Sequence, residues 1–221
     1  MNEKELYSLW CEKAVEDADL QAELTSIKDD EEAIKDRFYR NLEFGTGGLR
    51  GVIGAGTYRM NIYTVRRATQ GLADYVNETF TDGSVAIAYD SRIKSDVFAK
   101  EAASVLAANG IKVYIYPELM PTPMLSYAVR KLACKAGIVI TASHNPAKYN
   151  GYKAYGADGC QMTLEAAEIV LGKINSVEMF GGAKVISFDE GLSSGMIEYI
   201  GKDVIECYLE EVQKQSIHSG I

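Results

Sequence analysis

Apolar positions near the amino terminus recur at helical spacing. Leu6, Leu9, Trp10 and Ala14 share one face with charged residues between them, and Ile34, Phe38 and Leu42 continue the period. The pattern predicts helices over 6–42 and an N-terminal helical extension, 1–43, packed on the main domain. Glycines then crowd 44–60 (Gly45, Gly47, Gly48, Gly51, Gly54, Gly56), predicting a loop whose backbone turns tightly and approaches a ligand closely.

Downstream the period alternates. Helical spacing over 64–80 gives way to a short apolar strand at 85–90, and Ser95 is placed to cap a helix that Gly110 stops. A strand at 113–116 precedes Thr122-Pro123, read as an N-cap and first helical position of a helix to Lys131. The apolar run 136–142 reads as a buried strand. Asn150-Gly151 and Asp158-Gly159 are turn signals around Tyr152–Tyr155, which suggests an antiparallel edge strand. Thr163 caps a helix to Asn175, the glycines at 181–182 and 191–195 read as linker, and 200–215 is helical. The rhythm predicts an α/β fold: a three-layer α/β/α domain with a mixed, mostly parallel sheet. Its boundaries are 44–190, and 191–221 is a linker plus the first helix of a truncated second domain.

The bulk properties narrow the function. With 221 residues, 47% of them hydrophobic, the chain has enough apolar surface for a real core. No apolar run reaches the ~20 residues that span a bilayer, and Met1-Asn-Glu-Lys-Glu5 is not a secretory signal. Cys11, Cys134, Cys160 and Cys207 are scattered, which fits free thiols in the cytoplasm. A net charge of −8 argues against nucleic acid and anionic membranes as partners. An anionic substrate would need local cations, which Arg50, Arg92 and Lys153 can supply.

The richest stretch is Thr141-Ala-Ser-His-Asn-Pro146, continuing to Lys153. Ser143 follows a strand, where open α/β sheets place their ligands. His144 adjoins it, and Lys153 returns on a hairpin. A hydroxyl, an imidazole and an ammonium so grouped suit phosphoryl transfer to and from a serine. Each has a plainer reading as well: a turn serine bonded to its own backbone, a structural imidazole and an exposed strand lysine. A serine hydrolase would need a Gly-x-Ser-x-Gly elbow, which is absent.

Thr141–Pro146 resembles the phosphoserine loop of the α-D-phosphohexomutases, the phosphoglucomutase/phosphomannomutase superfamily. Phe44-Gly-Thr-Gly-Gly-Leu-Arg-Gly51, continuing to Arg59-Met-Asn61, is similar to the phosphoglucomutase branch with phosphopentomutase-like members, and Tyr89-Asp-Ser-Arg92 is a weaker match. The resemblance implies that Ser143 carries the phosphate, that Lys153 is a general acid/base, and that His144 assists proton transfer or holds the loop. It implies that Arg50, with Thr46, Gly47 and Asn145, binds substrate phosphate; Arg92 reads as a structural partner. It implies glucose 1-phosphate and glucose 6-phosphate as substrates, with mannose or pentose phosphates as alternatives, and glucose 1,6-bisphosphate as activating intermediate. A non-catalytic sugar-phosphate-binding module is the other reading. Mg²⁺ is implied too, with a phosphoserine oxygen on Ser143 as one ligand. The family's Asp-x-Asp-x-Asp-Arg loop has no counterpart here, and Phe188-Asp-Glu-Gly191 does not match it. The expectation is therefore a first domain, inactive alone, whose partners are the remaining domains of a longer polypeptide.

Overall fold

The computed structural model describes residues 1–217. Three helices come first: α1 (Glu3–Lys13), α2 (Ala18–Ser26) and α3 (Glu31–Phe38). Acceptor side chains at Asn2, Asp17 and Asp30 cap them, satisfying amides that a helix start leaves unpaired. The α/β body comprises β1 (Gly48–Val52), α4 (Ile62–Thr79), β2 (Ser84–Tyr89), α5 (Ser95–Ala108), β3 (Lys112–Ile115), α6 (Thr122–Lys131), β4 (Ala136–Ile140), β5 (Tyr149–Gly156) and α7 (Leu164–Ser176). α8 (Phe188–Ser193), β6 (Ile197–Tyr199) and α9 (Lys202–Lys214) complete it.

The strands form one sheet in the order β1-β5-β4-β2-β3-β6. The β4–β2, β2–β3 and β3–β6 pairs are parallel, while β5 runs antiparallel to both β4 and β1. The expected mixed, mostly parallel sheet is therefore observed. Alternate residues of β2 enter different layers. Val85 and Ile87 join the core with α4, α5 and α7, whereas Ala86 and Ala88 join the layer with α6 and α9. β4 is buried at every position, as a strand covered on both faces should be. The chain leaves β2 through α5 for β3 on one side, and from β3 it crosses back through α6 to β4 on the other side of β2. The switch point lies between β2 and β4, with Asp90 and Thr141 at the strand ends.

The N-terminal helices share the main core. Trp10 is fully buried, with its ring edge-on to Phe38, to Tyr63 of α4 and to Phe180. Glu23 of α2 accepts from Arg37 Nε at 3.0 Å and from the Ala55 amide at 2.7 Å, so it holds the glycine-dense segment. A Cβ on Gly54 would lie 2.7 Å from Glu23 Oε2, which explains the glycine.

Several expectations need correction. The glycine-dense segment contains β1, and β1 is the sheet edge; β5 lies inside, between β1 and β4. Asn150-Gly151 is part of β5. A Cβ on Gly151 would meet the Thr141 carbonyl oxygen at 2.6 Å, so this glycine serves close strand approach. Ser95 is the first residue of α5, not its cap; the N-cap is Lys94, at φ 60°. α6 is capped by Pro121, one residue earlier than expected. The supposed linker at 191–195 is the end of α8 and a Gly195 turn at φ 72°, leading into β6 beside β3.

Candidate functional site

Ser143 stands just past the carboxyl end of β4, exposed, at φ 52°. That left-handed conformation is costly for a residue with a Cβ and marks a position held by its surroundings. The holding group is Arg92, on the loop after β2. Its guanidinium donates to the carbonyls of Ser143 (2.5 Å), Asn145 (2.7 Å), Tyr149 (3.1 Å) and Pro146 (3.2 Å). Asp90 Oδ2 pairs with Arg92 Nε at 3.5 Å. The planar fork suits this multiple bonding.

Asp90 is fixed in turn. Its Oδ1 accepts from Ser95 Oγ at 2.8 Å and from the Arg92 amide at 3.0 Å. Buried Asn150, on β5, donates to Ser95 Oγ at 3.0 Å and to the Ile93 carbonyl at 3.0 Å. A continuous polar chain thus runs from β5 through the start of α5 to the Ser143 loop. Ser95 and Asn150 belong to the site's support, and nothing in their local sequence announced it.

Ser143 Oγ lies 3.3 Å from His144 Nδ1, and the Ser143 amide donates to Thr141 Oγ1 at 3.2 Å. Arg50, on β1, donates to Asn145 Oδ1 at 2.9 Å, which brings the two motifs together across 95 residues of chain. Arg50, Thr46 and Lys153 line a cavity of about 270 Å³ with Thr141 and Ala142. Ser143 and Asn145 line a neighbouring cleft of about 420 Å³ with Asp90 and Arg92. Lys153 is half-buried on β5, in register with Gly48 and Val139, and no hydrogen bond or ion pair engages its ammonium among the described residues. His144 is exposed and lines neither cavity. Gly47 lines neither as well: it is buried, turned at φ 83°, and its carbonyl accepts from the Ala154 amide at 2.8 Å.

The Lys153 cavity includes residues that the motifs did not single out. Arg40 sits 4.3 Å from the Tyr58 ring centroid, donates to Tyr58 Oη at 2.5 Å and pairs with Glu43. Hydrogen bonds from Tyr39 and Arg40 hold the Tyr58 hydroxyl below the usual phenol range, against the effect of burial. Gln161 closes another wall, donating to the Thr46 carbonyl at 2.6 Å. Arg40, Arg50 and Lys153 against the single carboxylate Glu43 leave the cavity locally cationic in an acidic chain.

Among the described residues no three His, Cys, Asp or Glu side chains group to hold a metal ion. Asp90, the carboxylate of the Ser143 cleft, is committed to Arg92 and Ser95. These residues do not compose a magnesium cage.

Residues 41–179 match the family model described as phosphoglucomutase/phosphomannomutase, alpha/beta/alpha domain I. The chain is 45% identical to a phosphoglucomutase of Staphylococcus saprophyticus over 172 residues, covering 78% of this chain and 31% of that one. It is 36% identical to a phosphoribomutase of Saccharomyces cerevisiae over 224 residues, covering 97% of this chain and 36% of that one. A crystal structure of a putative phosphomannomutase from Thermus thermophilus superposes with a TM-score of 0.66 at 28% identity, covering 79% of this chain and 36% of that one. The chain spans about a third of the length of the curated relatives it matches.

Proposed function

Because the chain belongs to the phosphoglucomutase/phosphomannomutase family, we propose that it is the phosphoryl-carrying domain of an enzyme interconverting glucose 1-phosphate and glucose 6-phosphate. One observation carries this reading. Ser143 is presented in a left-handed turn at the sheet's switch point, its carbonyl held by Arg92.

In the proposed reaction a phosphoryl group waits on Ser143 Oγ. The free hydroxyl of a hexose monophosphate attacks that phosphorus, forming a P–O bond to the sugar as the P–Oγ bond breaks. Lys153, acting as general base, takes the sugar hydroxyl's proton. The leaving Ser143 Oγ gains a proton, and His144 Nδ1, at 3.3 Å, is the ring nitrogen beside it. The hexose bisphosphate then turns over and returns its other phosphoryl to Ser143 by the reverse proton movements. Arg50 neutralises phosphoryl oxygens, its orientation fixed by Asn145. Thr46 shapes the cavity wall, and Gly47 keeps its loop turned.

Magnesium belongs to this proposal as the ion that would offset phosphoryl charge. It would take a phosphoserine oxygen at Ser143, with its other ligands from outside this chain. The partners proposed are the hexose phosphate and further domains of the same polypeptide, with 1–43 and 44–190 acting as one body and α9 leading into the next domain. Among the described residues no helix is long and apolar enough to cross a membrane; a cytoplasmic location is part of the proposal.

A pentose phosphate is the second reading, favoured by the match to the yeast phosphoribomutase over 97% of the chain. Comparing kcat/KM for glucose 1-phosphate and ribose 1-phosphate in the full-length enzyme separates the two. Ser143→Ala in that enzyme should abolish turnover of both sugars while leaving thermal stability unchanged. Full turnover in that variant would remove Ser143 from the chemistry and leave this domain a binding role only.

A further inference from the structure

A third cavity, of about 550 Å³, shares no lining residue with those at Ser143 and Lys153. It lies between α1, the start of α4 and the turn after α7. Its apolar side is Leu6, Leu9 and Phe180, all half-buried. Asn41 and Thr57 line it, as do the charged Lys13, which pairs with Glu12 at 2.8 Å, and the exposed Glu178. Arg40, Leu42 and Tyr58 line the Lys153 cavity, so one thickness of chain separates the two spaces.

Two polar groups in this wall lack what burial normally demands. Trp10 is fully buried, and its indole Nε1 has no hydrogen-bond partner among the described residues. An indole N–H can only donate, so an acceptor is what is missing. Arg67 donates through Nε to the Val177 carbonyl at 2.8 Å, and no carboxylate pairs with it among the described residues. Its neighbour Arg66 shows the ordinary solution, with Glu16 at 2.8 Å and Glu101 at 2.5 Å. Half-buried guanidinium groups are ordinarily neutralised in that way. Burial alone pulls the Arg67 pKa below the usual arginine value, with no anion to restore it.

We propose that this cavity binds a small organic anion with an apolar body. Its oxygens accept from Arg67, and its apolar part lies against Leu6, Leu9 and Phe180. Carboxylate and phosphate monoester share the required chemistry, several acceptor oxygens around one negative charge. The proposal does not depend on the reaction at Ser143.

Trp10 is the single tryptophan of the chain, so its fluorescence reports on this wall. The test titrates the full chain with hexanoate, hexyl phosphate, inorganic phosphate and hexanol, reading tryptophan emission and heat of binding. A saturable response to hexanoate or hexyl phosphate is expected, and the stronger arm identifies the head group. Hexanol and inorganic phosphate should each bind at least about tenfold more weakly, since each lacks one half of the recognised ligand. Arg67→Met should weaken the anion by a similar factor. Asn41→Asp, which adds a negative charge to the wall at an exposed position, should weaken it at low salt. No saturable response to either anion would overturn the proposal. So would equal binding of hexanol, or unchanged affinity in a folded Arg67→Met chain. If Arg67→Met fails to fold, the wild-type comparison and Asn41→Asp decide.

Discussion

Ser143 keeps a backbone conformation that its own side chain resists, at a cost of about 1–2 kcal/mol. Alanine would bear the same strain, so removing the hydroxyl tests chemistry without disturbing the fold. Lys153 offers the complementary experiment. It is half-buried and free of ion pairs or hydrogen bonds among the described residues, so it holds nothing in place. Lys153→Met in the full-length enzyme should shift stability by about 0.5 kcal/mol or less. Its turnover should fall ~10²-fold or more, the scale of a lost general acid/base. Denaturant melting and steady-state kinetics on the same preparation check both halves. Ser143, Lys153 and Arg50 were legible in the sequence because each stands in a short motif. Arg40, Tyr58 and Gln161 were not, because their place at the cavity depends on how distant segments fold against β1 and β5.

Arg92 is committed to the loop that carries Ser143. One guanidinium serves four carbonyls and Asp90, and its side chain is only 14% exposed. A lysine ammonium has the charge but lacks the planar fork. Arg92→Lys should therefore lose turnover by roughly tenfold or more through misplacement of Ser143. Arg92→Met should also cost about 1–3 kcal/mol of stability in urea melts. Wild-type turnover in Arg92→Lys would mean the loop holds its shape without the fork.

The elements themselves were read unevenly. β4 and α5 were legible from a continuous apolar run and a long apolar-rich helix. β1 was hidden because Gly48 and Gly51 mask the alternation in which Leu49 is buried and Arg50 exposed. β6 was hidden because it is a three-residue edge strand with only Ile197 buried. Asn150-Gly151 misled because a dipeptide common in turns here serves close packing between β1 and β4. In each case tertiary pairing overrode the local signal.

Two cores pack on the faces of one shared sheet: the larger reaches from Trp10 to Ile197, and the smaller joins α6 and α9 to β2 and β4. The whole chain should unfold in a single cooperative thermal transition. By itself it should show no detectable conversion of glucose 1-phosphate to glucose 6-phosphate, with or without magnesium. The cavity at Lys153 supplies Arg40, Arg50 and Lys153, and the described residues contain no metal cage. Positioning is worth up to ~7–11 kcal/mol in favourable cases, and a site without the proposed further domains forfeits much of it. Calorimetry and a coupled assay on the 221-residue chain check the two statements.

Every role proposed around this cleft depends on Ser143 as the phosphoryl carrier. The most direct measurement is peptide mapping by mass spectrometry of the full-length enzyme after incubation with glucose 1,6-bisphosphate. The expected result is phosphate on Ser143 and its loss on chasing with glucose 6-phosphate. An enzyme that turns over while Ser143 stays unmodified, or that carries its exchangeable phosphate on another residue, would contradict that role.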